Sequence, residues 1–124
     1  MRKPLNTREA IDFLIRDFYS KALKDALLKP IFESAIDDLE AHLPLIADFW
    51  DSLLLGSNRY KGNPFAKHIP LPIEAKHFDR WLALFHQSVD EHFVGEKAEE
   101  AKQRSTSIAY IFEKKLSQIH KGSL

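Results

Sequence analysis

The stretch RYKGNPFAKHIPLPIEAKHFDRW, residues 59–81, lies between two long amphipathic segments, and the rest of the chain is organised around it. Within this stretch Asn63 can cap a short helical turn, Pro64 suits the first helical position, and Pro70 ends the turn. The turn closes on His68, so its flanking residues restrict where one imidazole can lie. His68 is therefore the first candidate for a functional residue.

The composition excludes several classes of protein. A chain of 124 residues that is 44% hydrophobic, with nine Phe, predicts one folded domain over residues 1–124. Lys+Arg and Asp+Glu number 18 each, so the basic excess typical of nucleic-acid binders is missing. The absence of cysteine excludes disulfides, thiolate zinc sites and cysteine nucleophiles. No secretory signal or membrane-spanning run is evident, which predicts a cytoplasmic protein.

The hydrophobic pattern predicts an all-α chain. Apolar residues recur at helical spacing in four segments, and no strand-like alternation is present. The predicted helices are residues 6–24, 37–55, 72–93 and 96–120.

Capping and proline signals refine these boundaries. Asn6 and Glu9 have the spacing of a capping box at the start of the first helix. Pro30 favours an irregular link over residues 25–36, because a proline interrupts a long helix. Pro44 likewise favours a start of the second helix near Leu43.

Three of the predicted helices each direct one polar ring toward an apolar interior: Tyr19, His42 and Trp81. Taken singly, Tyr19 is more commonly a tyrosine at the edge of the core, and His42 a satisfied core histidine. The indole N–H of Trp81 needs an acceptor. Together with His68, these residues suggest a cavity with a ligating imidazole on one wall and hydrogen-bond donors on another. Haem iron requires such an arrangement.

Five segments in order also resemble a known family: FYSKALKD (18–25), KPIF (29–32), HLPLIADFW (42–50), LLLGSNRYKGNPFAKHIPL (53–71) and HFDRWLALF (77–85). They resemble the truncated haemoglobins of group III over nearly the whole chain. The paired-glycine motifs of the other truncated groups are missing, as expected for group III. The resemblance implies a truncated-globin fold, a two-over-two helical sandwich around haem b.

The resemblance also implies roles for individual residues. His68 matches the proximal iron ligand, Tyr19 and Trp81 match distal hydrogen-bond donors, and His42 matches a gate over ligand entry. The remaining cofactor-binding positions line the pocket or face the haem propionates: Phe18, Phe32, Ile46, Phe49, Trp50, Arg59, Tyr60 and Lys67.

These roles imply a penta-coordinate haem protein that binds O2 tightly and also takes NO and CO. Its expected use is O2/NO or peroxide chemistry rather than O2 transport, with NO dioxygenase and peroxidase-like reactions as candidate activities. A reductase is the expected electron donor, and the chain is expected to be a monomer.

Two other functions and one other ligand stay open. The protein could be a haem-based sensor or binding module without turnover, or a helical interaction domain without haem. His77 competes with His68 for the iron, although a capping or rim histidine is the preferred interpretation of His77.

Overall fold

The computed structural model describes residues 2–60, 62, 64, 68, 71 and 73–120. Its helices are α1 (Arg8–Ala22), α2 (Lys29–Ala35), α3 (Leu39–Leu55), α4 (Ala75–His92) and α5 (Glu96–His120). Pro64 and His68 are also helical. Within these described ranges, the extended structure is limited to an isolated bridge between Lys3 and Phe93. The prediction of an all-α chain is confirmed, and no helix in this part of the chain is long and apolar enough to span a bilayer.

The four long helices pack as one pair over another. α1 contacts α3, α4 contacts α5, and the two pairs meet where α1 lies against α4 and α3 against α5. The predicted apolar stripes of α1, α3 and α4 face this interior, where Ile11, Leu14, Trp50 and Phe85 are buried. Each large apolar side chain buried in this way contributes roughly 1.5–3 kcal/mol. The helical periodicity therefore accounts for which faces of the helices are buried in the two-over-two sandwich.

Two predictions near the amino terminus are wrong. The side chain that caps α1 belongs to Thr7, whose Oγ1 accepts a hydrogen bond from a backbone amide at 3.1 Å, and not to Asn6 with Glu9. Residues 25–36 are not irregular throughout, because Pro30 lies in the first turn of α2. The first amides of a helix have no intrahelical acceptor, so a proline there removes no hydrogen bond.

The turn before α2 is fixed to α4 by one carboxylate. Asp25 Oδ2 accepts hydrogen bonds from the backbone amides of Leu27 and Leu28, each at 3.1 Å. Its other oxygen, Oδ1, lies 2.6 Å from Nε of Arg80 on α4. This anchor orients α2, which carries Phe32 into the interior.

α3 begins at Leu39, so the predicted start near Leu43 is wrong. Asp38 Oδ1 accepts a hydrogen bond from the amide three residues later at 3.2 Å, which stabilises the first turn. Pro44 therefore lies inside the helix, where its missing N–H removes one backbone hydrogen bond. His42 consequently lies on α3 itself.

The connection from α3 to α4 starts with a fixed turn. Gly56 ends α3 with a φ of 69°, in the left-handed region that favours glycine. Four residues later, the backbone amide of Tyr60 donates to Ser52 Oγ at 3.0 Å, which holds the connection against the end of α3. α4 begins at Ala75, a few residues later than predicted.

Candidate functional site

A cavity of about 330 Å³ lies among all five helices and the connection between α3 and α4. Its described lining is mainly apolar and aromatic, and none of these described residues is Lys, Arg, Asp or Glu. The polar groups within it are hydroxyl, indole and imidazole groups. Such a cavity suits a largely apolar ligand that is oriented by a few polar contacts.

His68 lies in the cavity wall, and its ring is held on two sides. Nδ1 donates a hydrogen bond to the carbonyl oxygen of Pro64 at 2.5 Å. The ring also meets Phe112 edge-on, with centroids 5.2 Å apart. Burial lowers the pKa of His68, and the bond to Pro64 offsets this only in part. The predicted cap Asn63 and the predicted stop Pro70 lie outside the described residues.

His77 lies in the same cavity wall, but its Nδ1 accepts a hydrogen bond where that of His68 donates one. Its Nδ1 accepts a hydrogen bond from the backbone amide of Glu74 at 2.9 Å, at the start of α4. His77 is only 8% exposed. The preferred interpretation of His77 as a capping histidine agrees with this contact.

The two hydrogen bonds assign different tautomers to the two rings. A carbonyl oxygen can only accept, so Nδ1 of His68 carries the proton and its Nε2 carries a lone pair. A backbone amide can only donate, so Nδ1 of His77 carries the lone pair and its Nε2 carries the proton. His68 therefore presents a nitrogen lone pair, whereas His77 presents a hydrogen-bond donor.

Tyr19 and His42 form a polar pair in the cavity wall. The Tyr19 hydroxyl lies 3.0 Å from His42 Nε2. Burial raises the pKa of that hydroxyl well above its ordinary value, so the group keeps its proton and can donate it. Phe18 and Phe32 surround the phenol ring, at centroid distances of 5.4 and 5.3 Å.

Trp81 completes the polar groups on this part of the wall. Its indole stacks on Phe85 with centroids 5.4 Å apart and an interplanar angle of 10°, and Phe18 meets it edge-on at 5.9 Å. These contacts fix the ring plane. Among the described residues none accepts a hydrogen bond from the indole N–H, so this donor remains available to a ligand.

The structure brings most of the predicted residues together in this one cavity. Its lining includes ten of them: Phe18, Tyr19, Phe32, His42, Ile46, Phe49, Trp50, Tyr60, His68 and Trp81. Arg59 is not part of the lining, and its Nε lies 3.6 Å from Asp51 Oδ2. Lys67 lies outside the described residues.

Several lining residues were missed from the sequence. α5 contributes Ile108 and Phe112, although both belong to its helical stripe and could have been assigned to the cavity. α2 contributes Ile31, whose position could not be predicted while residues 25–36 were interpreted as an irregular link.

The observed groups fit haem. A haem site needs an imidazole whose iron-facing nitrogen carries a lone pair and whose other nitrogen donates to a carbonyl or carboxylate. His68 meets this condition through Pro64. An apolar slot and nearby donors complete the requirement, and the cavity provides both.

The fold and the cavity thus define a globin, and comparison with known proteins identifies which kind. A family model described as bacterial-like globin matches residues 5–114, and the chain belongs to that family. Membership implies that the chain binds haem, and globins bind diatomic gases.

Proteins similar to this chain include truncated haemoglobins. The chain is 36% identical over 114 residues to a group 3 truncated hemoglobin of Campylobacter jejuni, covering 88% of this chain and 90% of that protein. The crystal structure of a group III truncated hemoglobin from C. jejuni matches with a TM-score of 0.86 over 94% of this chain and 95% of that one. A truncated oxygen-avid haemoglobin from Bacillus subtilis, 29% identical, matches with a TM-score of 0.76 over 86% and 92%. The resemblance to group III is confirmed.

Proposed function

We propose that this chain binds haem b through His68 and holds O2, NO or CO beside Tyr19 and Trp81, for O2/NO or peroxide chemistry rather than O2 transport. The observation that carries the proposal is the pair of hydrogen bonds that assigns opposite tautomers to the two histidines. His68 offers a lone pair on Nε2, while His77 offers a proton. Of the two candidate ligands, His68 is the one already prepared to bind a metal.

The distal roles rest on two donors. Haem, when bound, supplies the iron at which diatomic ligands are held. Tyr19 keeps its hydroxyl proton because burial raises its pKa, and Trp81 has an indole N–H that no described residue accepts. Both groups can therefore donate to a diatomic ligand that acquires partial negative charge.

Two such donors favour retention of O2 over release. Each charge-assisted hydrogen bond contributes roughly 1.5–3 kcal/mol, and about 1.4 kcal/mol corresponds to a tenfold change in rate or affinity. The description of the B. subtilis relative as oxygen-avid agrees with this expectation. Slow release suits reaction of the held ligand and is unsuited to transport.

The proposal extends to how the protein works in the cell. Repeated turnover with O2 and NO needs a supply of electrons, so we include a reductase as the partner. We further expect a cytoplasmic monomer, with all of residues 1–124 in one domain.

The proximal assignment is tested by absorption spectra of the apoprotein with stoichiometric haemin. The parent, His68→Gly and His77→Gly are compared in the ferrous state. We expect five-coordinate ferrous features in the parent and in His77→Gly, and their loss in His68→Gly. Added imidazole should restore these features only in His68→Gly, because the small ligand can occupy the vacated position.

Each other outcome has a defined meaning. Normal spectra in His68→Gly together with loss in His77→Gly would move the iron to His77. A parent that binds no haemin specifically would contradict the proposed function as a whole. Tight O2 binding without NO dioxygenation or peroxide consumption, with a reductase present, would favour the sensor.

A further inference from the structure

His77 is a buried donor that the proposed O2 chemistry does not use. Its ring lies in the wall of the cavity and is 8% exposed, and its Nδ1 is committed to the amide of Glu74. The proton of the ring therefore lies on Nε2. Among the described residues none accepts a hydrogen bond from this nitrogen. Because the ring is largely buried and lines the cavity, Nε2 is placed to donate to whatever fills the cavity.

Backbone hydrogen bonds connect several of the described residues between His68 and His77. The amide of Leu71 donates to the carbonyl of His68 at 3.0 Å, and the amide of Ile73 donates to the carbonyl of Leu71 at 2.9 Å. The amide of Glu74 then donates to His77. These contacts join His68, Leu71, Ile73, Glu74 and His77 in one series of hydrogen bonds.

Several of the other polar groups of the described lining already have partners. Tyr19 and His42 bond to each other, and His68 donates to Pro64. No Lys or Arg is part of the described lining, yet a porphyrin brings two carboxylates that must be hydrated or hydrogen-bonded. A fixed imidazole N–H is a suitable donor to a carboxylate, and such a charge-assisted bond is stronger than one between neutral groups.

We infer that His77 Nε2–H binds a carboxylate of the haem, so that the histidine caps α4 with one nitrogen and holds the cofactor with the other. The inference rests on the proposed haem site and names a carboxylate-binding residue within it. It also gives His77 a role that excludes iron ligation. Binding iron through Nε2 would require the proton to move to Nδ1, where it would face the amide hydrogen of Glu74.

The variants must separate loss of the donor from loss of the cap. His77→Gln and His77→Glu both provide an oxygen for the Glu74 amide, because Gln and Glu are the usual residues at this position of a capping box. Gln retains N–H donors, whereas Glu places a negative charge where the carboxylate of the cofactor would lie. Ala75→Glu, at the exposed first position of α4, is the matched control for added negative charge.

The readout is the rate of haem transfer to an excess of a haem-free acceptor globin, followed by absorbance. We expect His77→Gln and Ala75→Glu to lose haemin within about threefold of the parent rate. His77→Glu should lose haemin roughly 10- to 100-fold faster, since it replaces an attraction with a repulsion. Thermal unfolding of the apoproteins should be similar for the Gln and Glu variants, which would show that the cap is intact.

The chemical control is haemin dimethyl ester, which lacks free carboxylates. With this porphyrin, the difference between His77→Glu and His77→Gln should fall to within about threefold. Equal haemin loss from both variants, or a difference that persists with the ester, would overturn the inference while leaving the proposed haem site intact. Failure of the parent to bind haemin would instead contradict the proposed function.

Discussion

The contact between Tyr19 and His42 makes a specific prediction about O2 release. The Tyr19 hydroxyl has one proton and lies 3.0 Å from His42 Nε2. If that proton is donated to O2, the bond between the two residues can persist only with His42 Nε2–H donating to the hydroxyl oxygen. His42 would then orient the hydroxyl and increase its strength as a donor, and the two residues would act as one unit.

The magnitudes follow from the kinds of bond involved. Tyr19→Phe removes a charge-assisted bond, roughly 1.5–3 kcal/mol, so O2 should leave roughly 10- to 150-fold faster. His42→Leu leaves the hydroxyl in place but removes a bond that orients it, roughly 0.5–1.5 kcal/mol, or about 2- to 12-fold. The double variant should release O2 no faster than Tyr19→Phe alone, because without the hydroxyl His42 has nothing to orient.

The assay is stopped-flow measurement of O2 dissociation from the ferrous protein, with CO association measured on the same variants. CO develops less negative charge than O2, so it reports access to the cavity more than hydrogen bonding. If His42 is also a gate, His42→Leu will accelerate CO association, whereas Tyr19→Phe will not. An unchanged O2 off-rate in Tyr19→Phe would refute the donor role of Tyr19. Fully additive effects in the double variant would refute the coupling between the two residues.

Three further results are expected. Trp81→Phe keeps an aromatic ring but removes the indole N–H, and O2 should leave about tenfold faster with little change in CO association, as stopped-flow kinetics will show. Arg8→Met removes a guanidinium 3.1 Å from the buried carboxylate of Asp51. Urea unfolding should show that the free energy of unfolding falls by about 1–3 kcal/mol, and adding Asp51→Asn should restore part of it. Burial raises the pKa of Asp25, but hydrogen bonds from Arg80 and two backbone amides outweigh it, so its pKa lies below the ordinary 3.8. Its contribution to stability is therefore present above that value and lost as the pH falls through the lower folded value, and Asp25→Asn should flatten this part of a urea-unfolding series between pH 2 and 6.

Much of the site could be predicted because the helical period places particular side chains inside. Tyr19, His42 and Trp81 lie on apolar stripes, and each lines the cavity. His68 was found by a different signal, the proline-flanked turn around it. These signals are local in the sequence, so they do not depend on how the helices pack.

The errors arise where one residue can serve two purposes. The sequence predicts that Pro30 interrupts a helix, but it occupies the first turn of α2, where its ring is compatible with the helix. The position of α2 depends on Asp25. Its carboxylate accepts hydrogen bonds from two backbone amides of the preceding turn and from Arg80. The contact between Asp25 and Arg80 spans 55 residues, so no local sequence pattern could reveal it. Phe32 was placed in the pocket by resemblance, and not by a predicted helix.

The tautomers of His68 and His77 show how much depends on a helix boundary. The ring of His68 contacts the carbonyl of Pro64, four residues earlier, and a carbonyl makes Nδ1 a donor. His77 lies three residues after the first amide of its helix cap, and an amide makes Nδ1 an acceptor. With the predicted start of α4 at residue 72 or 73, His77 would lie beyond the capping position, and its tautomer would have been undetermined. The boundary at Ala75 therefore fixes the tautomer of His77, and with it the argument for proposing His68, nine positions earlier, as the iron ligand.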